Sequence, residues 1–472
     1  MQDRYAVTVD LGTSNISLCV AQLSAGTADV VFYKSLPSEG VKHGKVINPL
    51  NCGNVLRRLI NEAEEALDLT ITQAVLAYPS YKVKQQYQIA EVERGDDFIT
   101  EEEVLNLEAT AREEFASSCA EGETIYGSVA QSFNVEDLYQ ASREDVIGTS
   151  SSTLSGNFKI FRGAKRPVEN ADKVFNHIGK GITREVFTPV ISGRIALTEE
   201  ERENGTALVE IGGGVTSVSI WSGGTLRFFD SFPFAGKSVS LDIKSECSIK
   251  EALAENIKLA YGACNPDKLQ NLADKVLLIV DEETGDNKKL PIRELCAIVD
   301  ARMREICEAI LWLIARSGMA DRLKGGIVLC GGGCQIVGLH SLLREMGGFK
   351  VRRAFPNCPK VGVQGFPELE NCDAVAQIAL LAYCAEDQRL LCTTERQNQG
   401  TMFAAAEPAQ DEPKSTPVET TAPAPAAQES GKKQKDTKKK DKKESSGLLS
   451  LFGKLADETM SVSYDQTDNN NN

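Results

Sequence analysis

The chain has 472 residues, of which 42% are hydrophobic and 25% charged, and its formal net charge is −15. These values are typical of a soluble globular protein of about two to four domains. The acidic balance argues against a general nucleic-acid coat, which needs positive charge against phosphates. The thirteen cysteines form no C-x-x-C pair and the three histidines are not clustered, so we expect reduced thiols in a cytosolic protein and little basis for a metal centre. Neither a signal peptide nor an apolar run of membrane-spanning length is visible.

The first notable segment, residues 5–21, reads YAVTVDLGTSNISLCVA. Two β-rich stretches joined by turn residues predict a hairpin. The free backbone N–H groups of such a turn bind anions, and the small side chains at Gly12, Thr13 and Ser14 let a ligand approach closely. Asp10, at the end of the first strand, is placed to hold a hydrated Mg²⁺ between phosphates. A plain glycine hairpin is the alternative interpretation.

The same unit occurs again at residues 206–221, which read TALVEIGGGVTSVSIW. Here Glu210 occupies the acidic position and Gly212, Gly213 and Gly214 form the turn. Repetition of the carboxylate at both strand ends favours phosphate binding over two unrelated turns.

A predicted helix follows at 250–262, KEALAENIKLAYG. Glu255 and Lys258 lie three residues apart, hence on one face. Taken alone, this spacing favours a surface ion pair of little energetic weight. The functional alternative is a pair that holds ribose hydroxyls and the adenine edge.

Residues 325–343, GGIVLCGGGCQIVGLHSLL, predict a buried strand, a glycine turn and an amphipathic helix. Strand, turn and helix in this order make a nucleotide-sized cleft at the carboxyl end of the strand. The segment lacks both G-x-G-x-x-G and a P-loop lysine, which argues against a Rossmann dehydrogenase and a P-loop NTPase. We assign Ile327 to Leu329 to the strand, Gly331, Gly332 and Gly333 to the turn, and Val337, Leu339, Leu342 and Leu343 to the helix.

The composition changes after residue 397. Residues 398–430 are rich in Ala, Pro, Gln, Glu and Thr, which predicts a disordered linker. Residues 432–443 then carry eight Lys against two Asp. In 447–460 apolar residues recur at helical spacing, which predicts an amphipathic helix that is too short to span a bilayer but can lie on an anionic surface. Docking on a protein partner, or no role, are the alternatives. The apolar face consists of Leu448, Leu449, Leu451, Phe452 and Leu455.

The order of these motifs resembles the superfamily of actin, sugar kinases and heat-shock chaperones. Within it the chain is most similar to the FtsA family of bacterial cell-division proteins. The segments that carry the resemblance are VDLGTSN, VEIGGGVTSVSI, FPFAGKSVSLDI with AENIKLAYG, and IVLCGGGCQIVGL. The resemblance implies an α/β, actin-like ATPase fold of two ribonuclease-H-like halves with inserted subdomains, followed by a disordered C-terminal linker and an amphipathic helix.

The resemblance also implies domain boundaries. Segments such as ITEEEV, residues 99–104, look like the small inserted domain of the family, called 1C. The implied division is 1–82 and 164–203 for subdomain 1A, 83–163 for 1C, 204–235 and 318–397 for 2A, 236–317 for 2B, 398–446 for the linker with its Lys-rich run, and 447–460 for the membrane-targeting helix.

The implied ligand is ATP with Mg²⁺, the metal held through water by Asp10 and Glu210. No catalytic residue is certain. Glu210 stands where the family usually has Asp, Ala235-Gly236 replaces a GG dipeptide, and Thr188 occupies a place where actin-like ATPases commonly have Gln or Glu. A hydroxyl is a poor substitute for a water-orienting carboxylate, so we expect an assembly scaffold with weak ATPase activity at most. The implied nucleotide contacts are Gly12, Thr13, Ser14, Asn15, Gly212, Gly213, Gly214, Thr216, Gly236, Lys237, Glu255, Lys258, Gly331, Gly332 and Gly333.

The function implied by the resemblance is a scaffold that polymerises at the membrane, tethers the FtsZ ring and recruits later division proteins. Its partners would be the FtsZ C-terminal peptide, further copies of itself and an anionic lipid surface, with no nucleic acid. Arg302, in a helix that matches the family in 2B, is a candidate contact for the acidic peptide. The location would be peripheral, on the cytoplasmic face of the inner membrane at the septum. A pilus-assembly actin homologue, a small-molecule kinase and a chaperone-like ATPase are alternatives, and the predicted terminal helix argues against them.

Overall fold

The computed structural model describes residues 4–266, 275–280, 287–387 and 389–395. The predicted linker at 398–446, the predicted helix at 447–460 and its five apolar residues lie outside the described residues.

The described residues alternate strands and helices, as the α/β prediction requires. The strands are β1 Arg4–Leu11, β2 Asn15–Ser24, β3 Thr27–Pro37, β4 Val41–Lys42, β5 Lys45–Val46, β6 Leu69–Ile71, β7 Gln73–Ala77, β8 Lys84–Phe98, β9 Glu123–Asn134, β10 Ser150–Ala164, β11 Gly181–Val186, β12 Thr206–Ile211, β13 Thr216–Ser222, β14 Thr225–Phe232, β15 Val276–Val280, β16 Asn287–Pro291, β17 Gly326–Cys330, β18 Val351–Arg353, β19 Val361–Gly362 and β20 Thr393–Glu395. The helices are α1 Pro49–Leu67, α2 Glu101–Ser118, α3 Arg143–Val146, α4 Lys165–His177, α5 Pro189–Ala196, α6 Glu199–Asn204, α7 Gly236–Cys247, α8 Glu251–Tyr261, α9 Ile292–Arg316, α10 Leu339–Gly347 and α11 Val375–Glu386.

Two sheets form the centre of the fold and repeat one arrangement. The first has the order β11-β7-β1-β2-β3-β19, and the second has the order β14-β13-β12-β17-β18. In each, an antiparallel hairpin (β1 with β2, β12 with β13) has a parallel strand beside its first member (β7 and β17). Both predicted hairpins are therefore confirmed, and their turns lie at equivalent places in the two sheets.

Helices cover both faces of the first sheet. Alternate residues of β2 belong to two different clusters, because successive side chains of a strand point to opposite faces. Leu18 and Val20 pack with residues of α1 and α4, whereas Cys19 and Ala21 pack with residues of α5 and α11. The helix α1 begins where the Asn48 side chain accepts hydrogen bonds from two backbone N–H groups of its first turn, a strong N-cap.

A third sheet, β8-β10-β9, packs with α2 around its own apolar cluster. Aromatic rings connect this unit to the second central sheet: Phe187 lies with its ring centroid 5.2 Å from that of Phe161 in β10 and 5.1 Å from that of Phe229 in β14. The rings of Phe161 in β10 and Phe229 in β14 also lie 6.2 Å apart between centroids, so the unit touches strand β14 directly, which matters for a pocket described below. The predicted subdomain boundaries stay a prediction.

One predicted element needs correction. Val337 was expected on the amphipathic helix, but the helix begins two residues later, at Leu339. Gly338 has a φ of +83°, a conformation outside the right-handed helix that glycine adopts without strain. Val337 consequently stays 61% exposed and pairs in a short parallel bridge with Ala263.

Candidate functional site

The turns of the two hairpins lie against each other. A Cβ atom at Gly213 would come within 2.1 Å of Ser14 Oγ, and one at Gly214 within 2.6 Å of Thr13 Oγ1. The glycines of the second turn are required because the side chains of the first turn fill the space. The structure thus brings together the two turns that the sequence analysis singled out separately.

Asp10 and Glu210 occupy equivalent positions, opposite Ser17 and Ser217 in their hairpins. Burial raises the pKa of the Asp10 carboxyl to about 6. Burial, followed by the charge of Asp10, raises the pKa of Glu210 to about 7. The two carboxyl groups are therefore close enough to repel, and a cation between them would favour their charged forms.

The acidic pair provides two carboxylates that could hold a magnesium ion through water. Among the described residues no group of three or more His, Cys, Asp or Glu side chains is arranged to hold a metal. Mg²⁺ usually keeps several waters and binds one or two carboxylates together with substrate phosphates, which is compatible with two carboxylates.

The N-terminus of α7 packs on the second turn. Gly236 N donates to Gly212 O at 3.0 Å and Lys237 N donates to Gly213 O at 2.7 Å. The Lys237 ammonium itself is paired with Glu251 at 3.1 Å, so its backbone, not its charge, contacts the turn. Thr216 is fully buried and donates to Phe234 O at 2.9 Å, which is a structural role.

Glu255 and Lys258 form the predicted ion pair, with 2.7 Å between Lys258 Nζ and Glu255 Oε1. The interpretation of a surface pair is wrong, because Lys258 is only 7% exposed. Its ammonium also donates to Gly236 O at 3.1 Å and to Ser240 Oγ at 3.0 Å. Lys258 therefore fixes a half-exposed carboxylate beside the N-terminus of α7.

The third glycine turn completes the cluster. Gly331 has a φ of +84°, and a Cβ there would lie 2.6 Å from Ile211 O at the end of β12. A Cβ at Gly333 would lie 2.5 Å from Ile211 Cγ2, and one at Gly236 would lie 3.6 Å from Gly333 Cα. Gly332 differs, since no atom lies within 4 Å of the place its Cβ would take.

The side chains of two further predicted residues are placed differently from those of the turns. Asn15 is exposed at the start of β2, opposite Pro37 of β3, and its carbonyl closes the first turn over Gly12. Arg302 lies on α9, where Nε and Nη2 contact the Asp242 carboxylate at 2.6 and 2.9 Å and Nη1 contacts Glu305. Arg302 is thus already engaged by two carboxylates.

The sequence analysis missed a loop that touches both hairpin turns. His43 Nδ1 lies 2.9 Å from Gly214 O, and Gly44 N donates to Thr13 Oγ1 at 2.8 Å. Both residues have positive φ, 50° and 66°, and they connect β4 to β5. A two-residue turn ending in glycine between short β segments is the signal that could have located this loop.

Thr188 is buried immediately before α5, and its carbonyl accepts a hydrogen bond from Ser192 Oγ at 2.8 Å. At the position where actin-like ATPases commonly have a Gln or Glu, this chain therefore has the buried hydroxyl of Thr188. No helix in the described parts of the chain is both long and apolar enough to cross a membrane.

The two repeated sheets with their interlocked glycine turns have the actin-like ATPase fold. A solved structure of the PilM–PilN type IV pilus biogenesis complex matches with a TM-score of 0.55 and 16% identity, covering 81% of this chain and 98% of that one. At this identity the likeness concerns the fold alone.

The sequence is similar to one family of cell-division proteins. Residues 207–378 match the family model described as cell division protein FtsA. The chain is 26% identical over 359 residues to cell division protein FtsA of Neisseria meningitidis, covering 75% of this chain and 84% of that protein. It is 25% identical over 363 residues to the FtsA protein of Escherichia coli K12, with the same coverage of both chains. The predicted resemblance to the FtsA family is confirmed.

Proposed function

We propose that the cluster of turns is a nucleotide site that takes ATP with Mg²⁺. The observation that carries this proposal is the convergence of four sequence-distant segments: the turns at 12–14, 212–214 and 331–333, and the N-terminus of α7 with Lys258 behind it. Backbone N–H groups of turns suit phosphates. The N-terminus of α7 would add only the positive end of its dipole, because Gly236 N and Lys237 N already donate to the second turn, and the half-exposed Glu255 suits ribose hydroxyls. Magnesium bound through water to Asp10 and Glu210 would neutralise phosphate charge.

Hydrolysis in this site should be slow. Thr188 provides a hydroxyl where a carboxylate or amide would orient the attacking water, and such orientation is a principal part of phosphoryl-transfer catalysis. Asp10 and Glu210 lie at the ends of their strands as metal-water ligands rather than bases. The chain is therefore proposed as a binding scaffold whose ATPase activity is weak.

We further propose that the chain acts in cell division, as the names of its relatives suggest. In this proposal the protein assembles into actin-like filaments on the cytoplasmic membrane at the septum. It would tether the FtsZ ring there and recruit later division proteins. The linker 398–446 and the amphipathic segment 447–460 would supply the membrane contact, because many weak anchors on one filament add up through effective concentration.

If Arg302 binds an acidic FtsZ peptide, it must first give up a carboxylate partner that it already has. A peptide carboxylate would have to replace Asp242 or Glu305, which already bind this guanidinium. An exchange of one bidentate carboxylate for another contributes little net affinity. Apolar contacts of the peptide would then have to provide most of the binding energy.

The nucleotide proposal is tested with a glycine that has room for a side chain. In Gly332→Val the new side chain enters open space, so we expect folding to be retained and ATP affinity to fall at least about tenfold, or ~1.4 kcal/mol. The matched control is Gly95→Val in β8, because Gly95 also has no atom within 4 Å of its missing Cβ. Equal ATP affinity of both variants and the parent chain would place the nucleotide elsewhere.

The scaffold proposal is tested by electron microscopy of filaments on an anionic lipid monolayer, with ATP and Mg²⁺. Full-length chain is compared with a chain ending at Ser445. Filaments on lipid with the full-length chain alone support the tether and assign it to the terminal segment. If neither chain binds lipid or assembles, the membrane role fails and the alternatives of a pilus-assembly homologue or a small-molecule kinase take its place.

A further inference from the structure

A second polar pocket lies where the three-stranded sheet meets strand β14, and it shares no residue with the nucleotide cluster. Its volume is about 310 Å³. The lining contains a guanidinium, three amides, a hydroxyl and a phenol, and none of its residues is acidic. The lining residues are Tyr87, Gln131, Ser132, Gln140, Asn157 and Arg227.

Arg227 enters the pocket wall from β14 and is held by uncharged acceptors. Its Nε donates to Ser222 O at 3.0 Å, and its Nη1 lies 3.0 Å from Gln131 O and 3.3 Å from Gln131 Oε1. Within the described parts of the chain no carboxylate comes within ion-pair distance of it. Burial lowers the pKa of the Arg227 guanidinium, and Tyr87 and the exposed Glu203 act in the opposite direction.

A second cation lies directly behind the first. Lys159 in β10 is 4% exposed, donates to the backbone carbonyl of Arg227, and lies 4.8 Å from the centroid of the Tyr87 ring. It too lacks a carboxylate partner among the residues described. Burial and the charge of Arg227 lower the pKa of the Lys159 ammonium to about 8, so the two positive charges act on each other.

Buried charges are costly unless an opposite charge or good hydrogen bonds compensate them. Here hydrogen bonds to carbonyl groups and the Tyr87 ring compensate the two cations only in part, because neither the half-buried Arg227 nor the buried Lys159 has a carboxylate within ion-pair distance among the described residues. The side-chain oxygen of Asn157 is also buried without a hydrogen-bond partner. The pocket therefore has an excess of positive charge together with an unmet acceptor.

We propose that this pocket binds a small phosphate anion, either inorganic phosphate or a phosphate monoester. Its charged oxygens would accept hydrogen bonds from Arg227 and from the amides of Gln140 and Asn157. The P–OH group that inorganic phosphate keeps at neutral pH would donate to Asn157 Oδ1, and a monoester carries this group only as its monoanion. Sulfate has no such donor at neutral pH, so phosphate should bind better than sulfate. A bound anion would contact both the three-stranded sheet and β14, and so would hold these two parts of the molecule together.

The proposal is tested by isothermal titration of the full chain with sodium phosphate, with glycerol 3-phosphate and with sodium sulfate. We expect saturable 1:1 binding that is at least about tenfold weaker in Arg227→Gln and in Asn157→Asp. The control Arg344→Gln, which changes an exposed arginine on α10, should bind as the parent does. Phosphate bound at the nucleotide cluster would persist in the Arg227 and Asn157 variants, so the comparison separates the two sites.

Asn157→Asp keeps the shape of the side chain and adds the missing negative charge, so it decides the question if Arg227→Gln fails to fold. Stronger binding of the monoester than of inorganic phosphate would identify a metabolite ligand, and the reverse would identify the free ion. Absence of saturable binding, or equal affinity in the parent chain and Asn157→Asp, would overturn the proposal. Sulfate binding as strong as phosphate would overturn the assigned role of Asn157.

Discussion

The two hairpin turns occupy equivalent positions in their sheets, yet they are built in opposite ways. The first turn carries side chains at Thr13 and Ser14, whereas the second, Gly212 to Gly214, carries none. The side chains of the first occupy the space that Cβ atoms of the second would need. The two repeated hairpins can therefore pack into one compact site only if their turns differ. One turn carries side chains, and the other consists of glycines that leave room for them.

Adding a side chain to the second turn, as in Gly214→Ala, should have the largest effect on the packing of the two turns. Its Cβ would lie 2.6, 2.7 and 2.9 Å from three atoms of the Thr13 side chain, and Thr13 is fixed by the hydrogen bond from Gly44 N. Overpacking of this kind costs about 1–3 kcal/mol. Urea unfolding should show that loss, while Gly95→Ala, at a glycine with open surroundings, should change stability little.

A second change, at Thr13, should restore the stability that Gly214→Ala loses. Thr13→Gly removes the obstructing side chain, so the double variant Thr13→Gly/Gly214→Ala should recover most of the loss caused by Gly214→Ala. A double-mutant cycle measures this coupling. Additive effects of the two changes would mean that Thr13 and Gly214 do not compete for one space, and the comparison of a bulky and a bare turn would fail.

The acidic residues of the two hairpins, Asp10 and Glu210, are more alike than the turns, and the pH dependence of stability tests whether both are buried. The folded-state pKa values of about 6 for Asp10 and about 7 for Glu210 exceed the ordinary values of 3.8 and 4.5. The folded chain thus keeps protons that the unfolded chain has released, so stability falls as pH rises from about 4 to about 7. Above that range the loss is complete, and below it the loss is absent.

Asp10→Asn and Glu210→Gln should each remove part of this dependence. At pH 8 each variant should be more stable than the parent by about 1–3 kcal/mol, at ~1.4 kcal/mol per pKa unit, whereas at pH 4 the difference should vanish. Urea unfolding at both pH values measures the effect, with exposed Asp321→Asn as the control. An equal effect at pH 4 and pH 8 would indicate a packing change instead of relief of buried charge.

The sequence predicted those parts of the site that are encoded locally. Strand, acid and turn residues lie next to each other in the chain, so both hairpins with Asp10 and Glu210 could be located. The burial of Lys258 could not, because a three-residue spacing defines a shared helix face but not what covers it. The position of Val337 was missed because Gly338, in a left-handed conformation, delays the helix. Contacts between distant segments, such as His43 with Gly214, depend on packing that no short pattern contains.

The loop at His43 tests whether the two turns are held independently. It contacts the second turn through the His43 side chain and the first turn through the backbone N–H of Gly44. His43→Ala removes the side-chain contact to the carbonyl of buried Gly214 but leaves Gly44 N bonded to Thr13. One such hydrogen bond contributes about 1 kcal/mol, so the global loss should be of that size. The exposed His340→Ala provides the control.

Amide hydrogen exchange should locate the effect of His43→Ala in the second turn only. The amide of Gly236, bonded to Gly212 O, should exchange faster, and the amide of Ser38, bonded to Ser14 O, should not change. The first turn keeps its order because its own side chains and the Gly44 bond still hold it. The bare second turn has no side chains to replace the lost contact. Equal acceleration at both amides would show that the loop supports the two turns as one unit, and that their opposite construction does not make them independent.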